Sequence, residues 1–358
     1  MKILDWYILK RYLFTFLMML LLFIPIGITV HLAEKIGKIL DKEVPAGELM
    51  VYLYDFTIYF AHLLFPLFLF LSVIWFTSKL ANNTEIVAFL SSGVSYTRFL
   101  RPYLIGATIT GGIALLLGLY LAPKASKGFN DFTYKYLKSR RRAAKATNVF
   151  RQINASEQIY VSNFDERNKT GQNFTLEHFV DNKLSHKITA NSIRYIEKDS
   201  VYRLSNYAER HIKSIKDSLV VLRRKDTIFA FDIKDLVPKI YEAEVLPYGE
   251  LVDFINKEEL RGSSDIGRYK LVKYRKFSLP ASVFILTIIG VAVASNKRRG
   301  GMGVNLAIGI CIAMVFVFFD KIFGVMAQQA DFNPIIAVWS PNIVFGILAA
   351  YLLIKAKR

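Results

Sequence analysis

The stretch YLFTFLMMLLLFIPIGITV at residues 12–30 contains no Asp, Glu, Lys or Arg. A hydrocarbon core of ~30 Å takes about 20 helical residues to cross, so this segment reads as a membrane span. Five further uncharged stretches follow at residues 56–77, 102–123, 277–296, 300–319 and 332–354; all six are 19 to 23 residues long. They fall three and three around an insert, residues 124–276, that is too charged to lie in lipid. The first span lacks a small-residue cleavage site and is long for a signal-peptide core, so it is expected to be retained.

Composition supports this reading. Of 358 residues, 53% are hydrophobic, which suits a membrane protein with a polar insert better than one globular enzyme. Lys and Arg exceed Asp and Glu by 47 to 29, a formal charge of +18. Much of that excess flanks apolar segments, which points to anionic headgroups rather than nucleic acid. The single cysteine, Cys311, lies in the fifth span, so no intrachain disulfide supports the insert. With the N-terminus in the cytosol, the inner ends of the spans hold Lys2, Lys10, Arg11, Lys79, Arg98, Arg101, Lys297, Arg298, Arg299, Lys355, Lys357 and Arg358. The short outer loops then hold only Lys35, Lys38 and Lys42, so both termini are expected inside and the insert outside. The run Lys138, Arg140, Arg141, Arg142 and Lys145 falls on the outer side, where long translocated domains escape the charge rule.

Residues 1–11 read as a short interfacial helix, and residues 31–50 as an outer connection in which Pro45 opens the next helix. Pro66 should kink the second span. Residues 78–98 form an inner connection with a helical pattern, and 124–145 a charged helical extension of the third span. Short alternating runs at residues 158–164, 173–180, 187–196, 201–208, 218–223 and 227–233 predict an all-β sandwich or roll. Residues 249–260 predict an amphipathic helix, and 268–276 lead into the fourth span. The expected domains are 1–123 with the first three spans, 124–246 with a jellyroll-like β fold and helical lead-in, and 247–358 with a linker helix and the last three spans.

No Walker loop, H-E-x-x-H, cysteine pair or G-x-S-x-G is present, so nothing suggests an autonomous enzyme. His178 and His186 lie on predicted strands and either meet at a metal or are ordinary surface histidines. His62, inside the second span, either lines a path or bonds a neighbouring helix. In NNTEIVAFLSSGVS, residues 82–95, Asn82 is placed to cap a short helix with Glu85 near its third position. Ile86, Phe89 and Leu90 then share a face and Gly93 closes the turn. That helix is either a lever docked on a cytosolic partner, with Glu85 facing an Arg there, or a capped connector on the bilayer surface. Asp320 and Lys321, at the end of the fifth span, either contact an anionic headgroup or compensate one another. Lys35 and Lys38 share a helix face and either bind phosphate or, for Lys38, pair with Glu34.

LDWYILKRYL (residues 4–13), EIVAFLSSGVSYTRF (85–99), LAPKASKGFNDF (121–132), VFVFFDKIFG (315–324) and WSPNIVFGILAAYLL (339–353) follow in order along the chain. In these motifs and in its three-plus-three layout the chain resembles the lipopolysaccharide-export ABC-transporter permeases, the F and G subunits of that system. FDKIFG is closer to the G type. The resemblance implies an F–G heterodimer on two copies of a cytosolic ATPase, coupled through the helix at 83–93 with Glu85 as its acidic residue. It implies lateral gates at spans one and five, with Lys35, Lys38 and Lys321 where lipid A phosphates would pass, and Glu34 and Asp320 as acidic neighbours. It also implies a periplasmic jellyroll whose apolar groove passes acyl chains to further jellyroll proteins, with the basic run at 138–145 near that route. No cofactor, no resident metal and no nucleic acid are expected. Two other readings stay open from the residues alone: a permease for another acylated amphiphile, and a membrane-anchored receptor or scaffold with a ligand-binding β domain.

Overall fold

Lipid offers no water to a backbone amide, so a chain crossing it must satisfy its hydrogen bonds within each segment. The computed structural model describes residues 3–137, 145–154, 156–165, 168–181, 183–196, 199–212, 216–229, 231, 242–260, 263, 265–298, 300–329 and 332–356. Lys2, Lys138, Arg140, Arg141, Arg142, Arg299, Lys357 and Arg358, used in the charge argument, lie outside them, as does the side chain of Lys145. The chain divides into a helical body (residues 1–133, 244–251 and 267–358) and a second body (134–243 and 252–266).

In the helical body each uncharged stretch is largely helical. The helices are α1 (Ile3–Asp41), α2 (Ala46–Asn82), α4 (Tyr96–Leu116), α8 (Ile266–Ala294), α9 (Gly301–Gln329) and α10 (Pro334–Ala356). A short α3 (Glu85–Ser91) sits between α2 and α4. The third span runs on through a π-helical turn (Leu117–Leu121) into α5 (Ala122–Phe132) and a second π turn (Thr133–Leu137). All six spans are long and apolar enough to cross a bilayer.

Several expected breaks are absent. The residues expected as a separate interfacial helix belong to α1, which runs unbroken from Ile3. The connection expected at 31–50 shrinks to residues 42–45, because Glu34, Lys35 and Lys38 are good helix formers that continue the span. Pro45 is the residue before α2 rather than its first helical residue. Pro66 lies inside α2 without ending it.

One apolar cluster joins Ile8, Leu9 and Tyr12 of α1 to Leu69 and Val73 of α2, Ile86 of α3, Phe99 and Tyr103 of α4, and Val283 of α8. A second joins Phe70 and Ile74 to Leu286, Ile289, Ala313 and Phe345. Gly106 of α4 lets Tyr12 of α1 lie flat against its backbone, since any Cβ there would overlap the ring.

The insert is an antiparallel sheet. Its strands are β1 (Lys145–Gln152), β2 (Glu157–Asp165), β3 (Thr170–Val180), β4 (Lys183–Ile196), β5 (Val201–His211) and β6 (Ser218–Thr227), paired in sequential order. β1 is a strand that the alternation did not signal, since only Val149 and Phe150 in it are large and apolar. The run at 227–233 begins on the last residue of β6, and residues 230, 232 and 233 are outside the described set. There Phe229 and Phe231 pack on Phe174 and Tyr202, and the Tyr202 hydroxyl donates to the Phe231 carbonyl at 2.9 Å. Those rings close the core formed by Ile159, Val161, Leu176, Ile188, Ile193, Leu204 and Tyr207.

Strict alternation would bury every second residue, yet the buried positions of β5 step from 202 and 204 to 207. The break falls at Asn206, whose φ is +52°, between the pairs Thr189↔Ala208 and Ser192↔Ser205, and the register is the same on both sides of it. Asn tolerates the left-handed conformation, and one residue in it breaks the alternation without adding a residue to either strand. Beyond Asn206, Glu209 takes hydrogen bonds from the Tyr207 hydroxyl and from Lys225 Nζ at 3.2 Å. The Tyr207 bond first, then Lys225 and His186, hold its carboxyl down at about 2.

After the one-turn α6 (Glu242–Val245) comes α7 (Tyr248–Leu260). Within the second body, Arg151 of β1 meets Glu258 of α7 at 2.7 Å and Ser263 Oγ at 3.0 Å, with both charged side chains buried. Removing one member of a buried pair leaves an uncompensated charge. Arg151→Met should therefore destabilise the full chain by about 3–5 kcal/mol in thermal unfolding, and Arg151→Met with Glu258→Leu should recover most of that loss.

Candidate functional site

α3 is seven residues long, and its chemistry lies in how it is held. The N-cap is Thr84, at φ +61° with no side-chain cap, so Glu85 opens the helix instead of closing a capping box from Asn82. The Glu85 carboxylate turns toward α1: Oε2 accepts from the Tyr7 hydroxyl at 3.0 Å and Oε1 from Asn83 Nδ2 at 3.3 Å. Ile86 is buried in the α1–α4 cluster, and Phe89 packs on it with its ring 6.4 Å from Phe99. Leu90 and Val87 face outward, 39% and 59% exposed. Gly93 ends the element at φ +85°, its N–H donating to the Leu90 carbonyl at 3.1 Å. The three apolar residues assigned to one face therefore divide: Ile86 and Phe89 anchor α3, and Leu90 joins Val87 as its exposed surface.

A second tie lies beside the first. Asp5 of α1, buried at 3% exposure, takes a 2.7 Å bond from Arg98 Nη2 at the start of α4. Tyr7 and Asp5 thus fasten the foot of α1 to both sides of the α2–α4 connection. A bond to a charged group contributes about 1.5–3 kcal/mol net, more than a neutral one. Sequence reading counted Arg98 only as a topology charge; the one cue to its partner was an acidic residue in the first turn of an apolar helix.

Above this foot α1 packs on α2 and α4, while α9 packs on α2 and α10. The remaining faces of both helices are apolar and uncovered. On α1 they include Phe14, Leu17, Leu21, Leu22 and Ile26; on α9, Ile310, Met314, Val315, Phe318 and Ile322. By contrast, 61% of the apolar window of α8 is buried, against 6% for α1 and 17% for α9.

The candidate headgroup residues lie on these same two helices. Glu34 pairs with its neighbour Lys35 at 3.4 Å. Lys38 follows one turn later. Asp320 of α9 makes no ion pair with Lys321 among the described residues. Its partner is Arg275 of α8, 2.7 Å away through Nη2 and 3.4 Å from the Asp320 carbonyl. Lys321 is exposed and has no ion pair among the described residues.

Further polar contacts join the spans. Lys276 Nζ donates to the Gly118 carbonyl at 2.8 Å, within the π turn. His62 lies beside the same glycine. Ser282 Oγ bonds Asn342 Oδ1 at 2.8 Å, and Thr77 Oγ1 donates to the Tyr103 hydroxyl at 2.9 Å. In the sheet, His178 and His186 are register partners, but His178 turns to Glu157 at 3.3 Å while His186 turns to Glu209 at 3.0 Å.

Six helices able to span a membrane, interrupted by an antiparallel sheet domain, define a polytopic membrane protein. The chain matches the family described as the lipopolysaccharide export system permease LptF/LptG over residues 6–355, and it belongs to that family. No curated protein matches it. Membership makes it a multi-pass inner-membrane transport protein.

The Arg275–Asp320 pair is testable as a unit. A double-mutant cycle of Arg275→Met and Asp320→Leu, read by thermal unfolding in nanodiscs, should give a coupling of about 0.5–3 kcal/mol. The corresponding cycle with Lys321 and Asp320 should give none.

Proposed function

We propose that this chain is the G-type half of a heterodimeric permease. It takes lipopolysaccharide from the inner membrane and passes it to a periplasmic jellyroll bridge, driven by a separate cytosolic ATPase dimer. Its termini lie in the cytosol and its sheet domain in the periplasm. The stretch FDKIFG supports the G type, with an F-type chain as partner. Lifting a multiply acylated lipid removes many methylenes from hydrocarbon at about 0.8 kcal/mol each. No passive site supplies that repeatedly, and this sequence has no phosphate-cradling loop, so the work comes from a partner.

The observation that carries the reading is the double tie at the foot of α1. A partner that moves α3 pulls on Tyr7 through Glu85 and on Asp5 through Arg98, and so moves span one. Val87 and Leu90 are the docking surface for the ATPase, and Glu85, Ile86, Phe89 and Gly93 hold that surface in place. The uncovered faces of α1 and α9 are where the F-type subunit seats, and the lipid leaves between the two chains. Lys35, Lys38 and Lys321 meet its phosphates there, while Arg275 holds Asp320 off Lys321. β6 offers an apolar edge, Leu219 to Leu222, to which a further β protein adds.

The test is co-purification from native membranes. Val87→Asp with Leu90→Asp should lower recovered ATPase about tenfold or more, without altering the elution of the permease. Unchanged recovery would contradict the docking surface. A co-eluting lipid other than lipopolysaccharide would point to a different amphiphile, and no ATPase with the unaltered chain would favour a receptor or scaffold.

A further inference from the structure

One end of the sheet carries a row of imidazoles. Register places Glu157 opposite His178, His178 opposite His186, and His186 opposite His211, so four adjacent strands present titratable side chains in a line. Two of these rings converge. His186 and His211 stack with centroids 4.5 Å apart and planes 11° from parallel. Both Nε2 atoms point at one oxygen, Glu209 Oε1, at 3.0 Å and 3.1 Å.

We propose that His186, Glu209 and His211 form a binding site for a first-row divalent metal ion of the zinc class. The donor atoms of the three residues lie within 4.8 Å of one another. Zinc bonds of about 2.0–2.2 Å in a tetrahedron place neighbouring donors ~3.3 Å apart. The two nitrogen–oxygen separations are already close to that edge, so an ion needs only small side-chain rotations to enter. Two imidazoles and one carboxylate suit zinc, copper, nickel or iron rather than calcium or magnesium, which take oxygen ligands.

The surroundings fix the carboxylate. Its second oxygen, Oε2, is held by the Tyr207 hydroxyl and by Lys225 Nζ at 3.2 Å, leaving Oε1 directed at the two rings. Such outer contacts orient ligands in metal sites and raise affinity. The Glu209 ligand sits two residues before His211 on β5, on the same face, and His186 comes from β4. The ion therefore links two strands. His211 is 47% exposed, which leaves an entry path and an open fourth position for water. On binding, each imidazole carries its proton on Nδ1 and presents the Nε2 lone pair; any proton held at Nε2 beyond that leaves to solvent. The adjacent Lys225 charge opposes the ion and argues for a site of moderate affinity. Neither His178 nor Glu157 is needed, since these two bond each other. The sequence alone had offered His178 with His186 as the candidate pair; the site uses the cross-strand partner on the other side.

Zinc titration of the full chain, purified without a histidine tag, tests this at neutral pH by calorimetry. The unaltered protein should bind one equivalent. His186→Gln and His211→Gln should each weaken binding on the order of a hundredfold, and His178→Gln should leave it unchanged. Cobalt in place of zinc should give the intense visible bands of a tetrahedral site, lost in His211→Gln, a surface substitution that leaves the core intact. No stoichiometric uptake by the unaltered protein, or full binding by the His186→Gln/His211→Gln double variant, would overturn the proposal.

Discussion

The structure depends on one constraint: inside a bilayer a charged or hydrogen-bonding group must find its partner within the protein. That requirement makes the six spans continuous helices and keeps the sheet outside them. It also explains where the polar side chains of the helical body are found. Asp5 meets Arg98, Arg275 meets Asp320, Lys276 meets the Gly118 carbonyl, and Ser282 meets Asn342. Each joins two different spans or a span to its neighbour's end. The apolar clusters supply area, and these pairs fix which helix lies beside which.

The same constraint separates fastened helices from free ones. α8 is enclosed and carries polar contacts to the π turn after α4, to α9 and to α10. α1 is tied at its foot, packs on α2 as far as His31, which bonds Tyr52, and presents lipid-compatible side chains on its outer face, as does α9. Helices that leave so much apolar surface uncovered are suited to face another chain or lipid, and spans one and five are the two that the lipopolysaccharide reading requires to part. α3 stands at the foot of α1, with two outward apolar residues and an acid already committed to Tyr7.

Much of this was legible in the sequence because the strongest signals were one-dimensional. Nineteen or more residues without a charge have few explanations, and all six spans followed. Alternation marked β2 to β6, and the turn from Ser91 to Gly93 was visible from glycine alone. β1 escaped because apolar residues are sparse in it, and the run at 227–233 misled because Phe229 and Phe231 are core plugs beyond the last described strand. Helix ends were misplaced where charged helix formers extend the spans past the apolar run, as at Glu34 to Asp41. The ties themselves were hidden for a different reason. Arg98 finds Asp5 across 93 positions and Tyr7 finds Glu85 across 78, and a single sequence carries no distance information at that range. The same holds for His186, Glu209 and His211, whose meeting depends on the register of β4 against β5 that pairs His186 with His211.

The central claim is that work applied at α3 reaches span one through the ties at its foot. It is tested most directly by the amount of lipopolysaccharide released per ATP hydrolysed, measured in proteoliposomes holding the whole transporter with Asp5→Asn in this chain. The account predicts that hydrolysis continues while lipid released per ATP falls about tenfold or more. An unchanged ratio would contradict it.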